Sequence, residues 1–443
     1  MCFNCHKLLL LLSCIVGLTM FSCSTTKTLT TPLSFSQTLD LEIDTCSALK
    51  AGFTGVFIAD LDTKEVIYSR NADKFFVPAS NTKIFTLQSC LTSLGDSIPA
   101  LRYIETDSTF TFWGTGDPTF LHPFFPASRT LEFLQSKAVV KKMYISYAHS
   151  DIGPFGEGWM WDDYNGSYQP ELSSFPIYGN VFTIKKDSNG LQSLPDMLMS
   201  RTILSPHRKS VRRHMDYNLF EIPSLLDTVK NYFQEIPYKN AESTNKEILE
   251  KLLSTKIEIS TDRIPKDAKT LYSLHKDTVL RRMMQISDNM LAEQLLLLSG
   301  MAVGDSISSR YAISMAKERS MTILDPLPKW VDGSGLSRYN MMTPKSIYQL
   351  LYAMYQTNKE DQLFSYMSIG GVVGTIKSVF KYDDTPYVFA KSGTLGGSYN
   401  LSGYLIAKSG KRYIFSFMNN NLVTPSSKIR LEVERILNKV REK

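Results

Sequence analysis

Pro78-Ala79-Ser80-Asn81-Thr82-Lys83 runs directly into an apolar stretch in which Ile84, Leu87, Leu91 and Leu94 recur at spacings of three and four. That period predicts a helix beginning near Ser80 with one face buried. On a helix, positions i and i+3 are neighbours, which puts the Lys83 amine one turn above the Ser80 hydroxyl. A serine is a poor nucleophile until a base takes its proton, and a partly desolvated lysine is neutral often enough to do so. The helix N-terminus would also favour negative charge on the oxygen. Ser80 and Lys83 are therefore a candidate nucleophile and base.

Two fixed residues are a weak pattern, and the chain repeats Ser-x-x-Lys at Ser47/Lys50, Ser243/Lys246, Ser273/Lys276 and Ser314/Lys317. Such pairs usually sit on solvated helix faces. Ser80/Lys83 differs because it opens a helix just after a proline and leads into an apolar stripe. It needs partners elsewhere in the chain.

At 443 residues the chain exceeds one typical core, which points to a large composite domain or to two or three domains. Composition is ordinary for a globular protein, with 43% hydrophobic and 21% charged residues. The net charge of +6 is spread along the chain. The densest basic cluster, His207-Arg208-Lys209 with Arg212-Arg213, is too small for a nucleic-acid footprint, so no nucleic-acid partner is expected.

Residues 1–22 read as a signal peptide: Lys7, then an apolar run from Leu8 to Phe21 that ends at Ser22-Cys23. The run is too short for a comfortable membrane span. It resembles a bacterial lipoprotein signal, in which cleavage leaves Cys23 to carry lipid; a plain secretory signal is the alternative. Residues 23–38, threonine-rich at first, read as a tether. With Cys2, Cys5 and Cys14 removed and Cys23 acylated, Cys46 and Cys90 remain, either paired or as small buried hydrophobes. There is no zinc-ligand spacing and no H-E-x-x-H, so neither metal nor cofactor is expected.

Further along, Thr54–Ala59 and Val66–Ser69 read as a strand hairpin that delivers the chain to Ser80. From about Leu101 to Ile264 the texture becomes β-rich, with many aromatics and turn signals such as Gly114-Thr115-Gly116-Asp117-Pro118-Thr119. That run is not a phosphate loop, because no Gly-Lys-Ser/Thr follows. Next, Ser287-Asp288-Asn289 lies between two predicted helices, Thr278–Gln285 and Met290–Leu298. Lys391-Ser392-Gly393-Thr394 closes an apolar strand, whereas the second Lys-Ser-Gly, at 408–410, sits in a hairpin turn. A C-terminal meander and an amphipathic helix over Lys428–Val440 finish the chain.

Each triplet alone is weak; their order is informative. Ser-x-x-Lys opening a helix, Ser-Asp-Asn between helices and Lys-Thr/Ser-Gly on a strand is the signature of penicillin-binding proteins and related β-lactamases. The chain resembles the D-alanyl-D-alanine carboxypeptidase/endopeptidases, the class C low-molecular-mass penicillin-binding proteins of the penicillin-binding protein 4 type. The resemblance extends to Gly158-Trp159 with Trp161-Asp162-Asp163, to Asp332-Gly333-Ser334-Gly335-Leu336-Ser337-Arg338 and to Gly371-Val372-Val373-Gly374-Thr375. The third triplet has serine where threonine is commoner, which keeps a hydroxyl. Val373 stands where the family often has aspartate.

The resemblance implies an α/β (α+β) protein whose serine β-lactamase/DD-peptidase-like catalytic domain pairs an antiparallel sheet with a helical cluster. That domain is discontinuous, 39–100 with 265–443, around a β-rich insertion at 101–264. It also implies roles. Ser80 attacks the penultimate D-alanine carbonyl of a peptidoglycan stem peptide, Lys83 takes the proton, and Ser287 relays one to the leaving group. Asn289 binds the substrate amide and steadies Lys83, while Lys391 and Ser392 meet the terminal carboxylate. The amides of Ser80 and Thr394 form the oxyanion hole. Lys391 would also lower the pKa of Lys83 by like-charge repulsion. β-Lactams would act as inhibitors, and the protein would face the periplasm on a lipid anchor. A β-lactamase is the rival enzyme, although no Glu-x-x-x-Asn lies between Asn289 and Lys391. A non-catalytic cell-wall-binding protein is the rival outside enzymes, set against an intact serine, lysine, serine, asparagine and lysine set.

Overall fold

The computed structural model describes residues 33–443, apart from 127, 128, 151, 305, 306 and 383. The expected signal peptide, Cys23 and most of the expected tether lie outside the described residues. The tether's end is not a linker: Phe35–Thr45 is a helix. Ser34 caps it, accepting from the Gln37 backbone N–H while the Gln37 side chain accepts from Ser34 N–H at 2.9 Å. This reciprocal box satisfies two N–H groups that a helix start otherwise leaves unpaired, and the serine and threonine content of the region hid it.

A six-stranded antiparallel sheet carries the fold, in the order Ser368–Ile369, Val388–Leu395, Ser398–Ile406, Arg412–Asn420, Phe53–Asp60 and Val66–Arg70. Side chains alternate across a strand, so each strand feeds two cores. On Arg412–Asn420, Tyr413, Phe415 and Phe417 join one core with Leu39, Ile43, Ile429, Val433 and Ile436. Those partners come from the first helix and from the last, Ser426–Glu442, whose buried residues repeat at helical spacing. Ile414 and Met418 face the other way, into a cluster built by helices Lys83–Ser93, Lys276–Ile286, Asn289–Gly304, Ser309–Ser320, Pro344–Thr357 and Glu360–Tyr366. The Asn289–Gly304 helix is mostly apolar because Met290 to Met301 are all buried, with Leu291 and Leu295 to Leu298 fully enclosed and Glu293, Gln294 and Ser299 its buried polar members.

A five-stranded sheet holds Ile257–Ser260, Lys142–Ser146, Thr109–Gly114, Ser97–Glu105 and Lys269–His275 in that order, and two three-stranded sheets lie between Val181 and Pro237. A third core under these strands includes Leu101, Phe110, Phe112, Phe175 and Phe182. Strand Ser97–Glu105 crosses the boundary expected at 100/101 and pairs with Lys269–His275, beyond the one expected at 264/265. Backbone hydrogen bonds thus bind the start of the β-rich stretch to its end.

Candidate active site

Ser80 is not on the α-helix itself. Residues Ala79–Thr82 form a 3-10 turn, and the α-helix begins at Lys83. Ala79 has φ of 48°, a left-handed conformation unusual for a residue with a side chain. The tighter turn improves the expected geometry, because in 3-10 structure i and i+3 eclipse one another. Lys83 Nζ donates to Ser80 Oγ at 3.0 Å. It also donates to Asn289 Oδ1 and to the Ser334 carbonyl, each at 2.6 Å. The side chain is fully buried. Burial pushes its pKa down to about 8, while the charges of Asp332, Glu293 and Asp288 pull it back up.

Ser287 ends the Lys276–Ile286 helix in a left-handed conformation, φ 63°, and this bend turns its side chain into the site. Its hydroxyl accepts from Lys391 Nζ at 2.9 Å. Lys391, also fully buried, additionally donates to the Ser392 carbonyl at 2.7 Å. Its pKa is held well below the usual lysine range, first by burial and then by the charge of Lys83. The repulsion expected to act on Lys83 is thus felt at Lys391, and burial is the leading cause at both amines.

Strand Val388–Leu395 lies against the Ala79–Thr82 turn. A Cβ on Gly393 would stand 2.6 Å from the Pro78 carbonyl oxygen and 2.9 Å from the Ser80 nitrogen, so only glycine permits that approach. Ser392, on the face of the strand opposite Lys391, donates to Thr375 Oγ1 at 2.6 Å. Thr394 lines a cavity of about 390 Å³ together with Ser80, Ser287, Asn289, Asp163, Tyr168 and Arg338. Ser80, Lys83, Ser287, Asn289 and Lys391 therefore converge on one cleft with Thr394 at its strand edge, whereas Ser392 is outside the cavity lining with its hydroxyl held by Thr375.

Sequence reasoning missed the groups that hold this set. The loop Asp332-Gly333-Ser334-Gly335 supplies a backbone acceptor to Lys83, and a backbone group leaves no mark in the sequence. Asp332 accepts from the N–H groups of Gly335 and Ser337 at 2.9 and 2.6 Å, from Trp159 Nε1 at 3.0 Å and from Asn340 Nδ2 at 2.7 Å. Glu293 accepts from Gly333 and Ser334 N–H at 3.1 and 2.7 Å. Its position four residues after Asn289 was the available signal, since i and i+4 share a helix face.

Cys46 and Cys90 are free thiols in different cores. Among the described residues, no group of three or more His, Cys, Asp or Glu is placed to hold a metal, and no helix is long and apolar enough to cross a membrane.

The sequence model of the D-Ala-D-Ala carboxypeptidase 3 (S13) family matches residues 35–439. A D-alanyl-D-alanine carboxypeptidase DacB of Haemophilus influenzae is 22% identical over 432 residues, which cover 85% of this chain and 87% of the relative. The penicillin-sensitive carboxypeptidase A of Dictyostelium discoideum is 23% identical over 406 residues, covering 77% and 76%. The crystal structure of penicillin binding protein 4 from Haemophilus influenzae aligns with a TM-score of 0.73 at 19% identity, over 93% of this chain and all of that one. With the match running from the first described helix almost to the end of the last, the chain belongs to the D-Ala-D-Ala carboxypeptidase 3 (S13) family of serine peptidases.

Proposed function

We propose that this enzyme removes the terminal D-alanine from peptidoglycan stem peptides through an acyl-enzyme on Ser80. The observation that carries the reading is Lys83 Nζ at 3.0 Å from Ser80 Oγ, while Asn289 and Ser334 fix the amine. Ser80 Oγ bonds to the carbonyl carbon as its proton passes to Lys83. The C–N bond then breaks, and Ser287, polarised by Lys391, relays to the departing amine the proton that Lys83 took from Ser80, which returns Lys83 to its neutral form. The amides of Ser80 and Thr394 receive the developing oxyanion. Lys391 and Ser392 attract the substrate's carboxylate, and water hydrolyses the ester. A β-lactam is attacked in the same way, but its leaving group stays tethered and obstructs that water. One structure in the comparison is the Haemophilus protein complexed with a novel β-lactam, which supports such binding here.

The reacting side chains come from 39–100 and 265–443, in keeping with a discontinuous catalytic domain. Met160, Asp163, Tyr168 and Gln169, from 101–264, contribute a wall of the cavity, which supports reading that stretch as an insertion that shapes the cleft. We read the protein as exported to the periplasm, with Cys23 diacylglyceryl-modified; the apolar run ending in Ser22-Cys23 supports this. Wild-type protein found wholly in the soluble periplasmic fraction with a free Cys23 thiol would overturn the anchor.

Intact-mass measurement after penicillin, beside D-alanine release from a D-Ala-D-Ala-ended peptide, tests the main reading. A stable adduct on wild type that is absent from Ser80→Ala, together with released D-alanine, is expected. An adduct of equal size on Ser80→Ala would remove Ser80 as nucleophile. Fast multiple-turnover penicillin hydrolysis without peptide cleavage would move the enzyme to the β-lactamases.

A further inference from the structure

The base Lys83 has two fixed acceptors, Asn289 Oδ1 and the Ser334 carbonyl, and these trace to one helix by different routes. Asn289 opens the Asn289–Gly304 helix and reaches the amine directly. One turn further along, Glu293 is 1% exposed and does not line the substrate cavity. Its two carboxylate oxygens grip the consecutive N–H groups of Gly333 and Ser334. The Ser334 carbonyl shares its peptide plane with the Gly335 N–H, which Asp332 holds at 2.9 Å. Glu293 fixes the two preceding planes through the N–H groups of Gly333 and Ser334, and so sets where the carbonyl's plane begins. The opposite side of the loop is held by Thr86, which donates to the Gly333 carbonyl at 2.6 Å from the helix that carries Lys83.

We propose that Glu293 is a positioning residue for the general base: by clamping Gly333 and Ser334 it turns the Ser334 carbonyl onto the Lys83 amine, so the Asn289–Gly304 helix places that amine twice. The inference rests on Lys83 serving as the base of Ser80. A buried carboxylate spent on two backbone N–H groups is a costly way to hold a loop if packing alone were needed. It also adds negative charge near the amine. The charged groups facing Lys83 are Asp288 at the helix corner, Glu293 on the helix, Asp332 on the loop and Lys391 on the strand. Burial and Asp332 push the Glu293 carboxyl up to about 8, so its negative charge develops over the same pH range in which Lys83 loses its proton.

The test is single-turnover acylation by benzylpenicillin, followed across pH, with steady-state D-alanine release beside it. Glu293→Gln should lower the acylation rate constant about tenfold or more, and kcat should fall while KM stays within about twofold, because Glu293 touches no substrate. The base limb of the pH profile should move to lower pH, since an amine that loses both a carbonyl acceptor and a nearby negative charge gives up its proton more readily. A purely structural role would lower the rate without moving that limb. Should Glu293→Gln fail to fold, Glu293→Asp carries the test. It keeps the charge but withdraws it by one methylene and releases the loop, so the rate should fall and the limb should move to lower pH by less than in Glu293→Gln. A folded Glu293→Gln enzyme with the wild-type rate, a slowed one with an unmoved limb, or a Glu293→Asp enzyme at full rate overturns the proposal. Wild-type enzyme that never acylates at Ser80 would instead overturn the functional reading beneath it.

Discussion

The amine of Lys391 stands 2.9 Å from the hydroxyl of Ser287, joining a sheet strand to a helix corner 104 residues earlier in the chain. This contact sets the Lys-Ser-Gly at 391–393, proposed to be functional, apart from its copy at 408–410. Lys408 belongs to the hairpin turn and pairs with Glu442 at 2.7 Å, with more than half of its side chain exposed. Lys391→Ala should slow penicillin acylation by about 10²–10³-fold, the scale of losing one positioned hydrogen-bond donor in a dry site. Lys408→Ala should leave acylation near wild type, because an exposed ion pair contributes little. Equal effects in stopped-flow acylation would mean that the two triplets had been confused.

Acylation should also depend on pH with a definite sign. Lys83 must be neutral to accept the Ser80 proton, and its pKa is lowered to about 8. The rate constant should therefore rise with pH, about tenfold per unit below that value, and level off above it. Lys391 titrates in the same field, so the limb belongs to the two amines together. A profile flat from mildly acid to mildly alkaline pH would argue against a lysine base.

Gly393 should tolerate no side chain. Gly393→Ala puts a Cβ 2.6 Å from the Pro78 carbonyl oxygen, and both neighbours are backbone that cannot swing aside. Either the strand lifts off the nucleophile's turn or the turn itself shifts. Overpacking of this kind costs about 1–3 kcal/mol. The variant should melt earlier, and acylation should fall by more than the folded fraction explains. A wild-type melting temperature with a wild-type rate would contradict the close approach.

Arg213 and Glu171 form a buried pair outside the cavity lining, with side chains 1% and 5% exposed. Arg213 donates to the carbonyls of Pro237, His214 and Met215 at 2.8 to 3.1 Å and to Glu171 Oε1 at 3.3 Å. Arg213→Ala leaves the Glu171 carboxylate and three carbonyls without that donor. Breaking one half of a buried pair costs about 3–5 kcal/mol, which denaturant unfolding would register. A loss under about 1 kcal/mol would show that water reaches the pair.

Several features were legible in the chain because they depend on neighbours in sequence. The apolar periods around Ile84, Phe415 and Ile436 announce a buried helix, a two-faced strand and a closing helix, since side-chain direction repeats at 3.6 or 2 residues. Ser80 and Lys83 are three apart, close enough for any helical turn to join them. The serine and asparagine of 287–289 and the lysine of 391 stood out by the order of three short motifs.

The rest was decided in three dimensions. Lys83 meets Asn289 206 residues away and the Ser334 carbonyl 251 residues away. No local propensity encodes a backbone oxygen, so the second contact has no residue type to betray it. The left-handed Ala79, the glycine-only passage of strand 388–395 over Pro78 and the Ser392–Thr375 hydrogen bond likewise exist only because two segments are pressed together. By itself the sequence determined which groups are reactive and which faces are apolar. Only the tertiary structure decided that the lysine is buried, and burial gives it the lowered pKa that a base requires: the energy of an ammonium depends on the solvent and charges that the fold places around it, not on its neighbours in the chain.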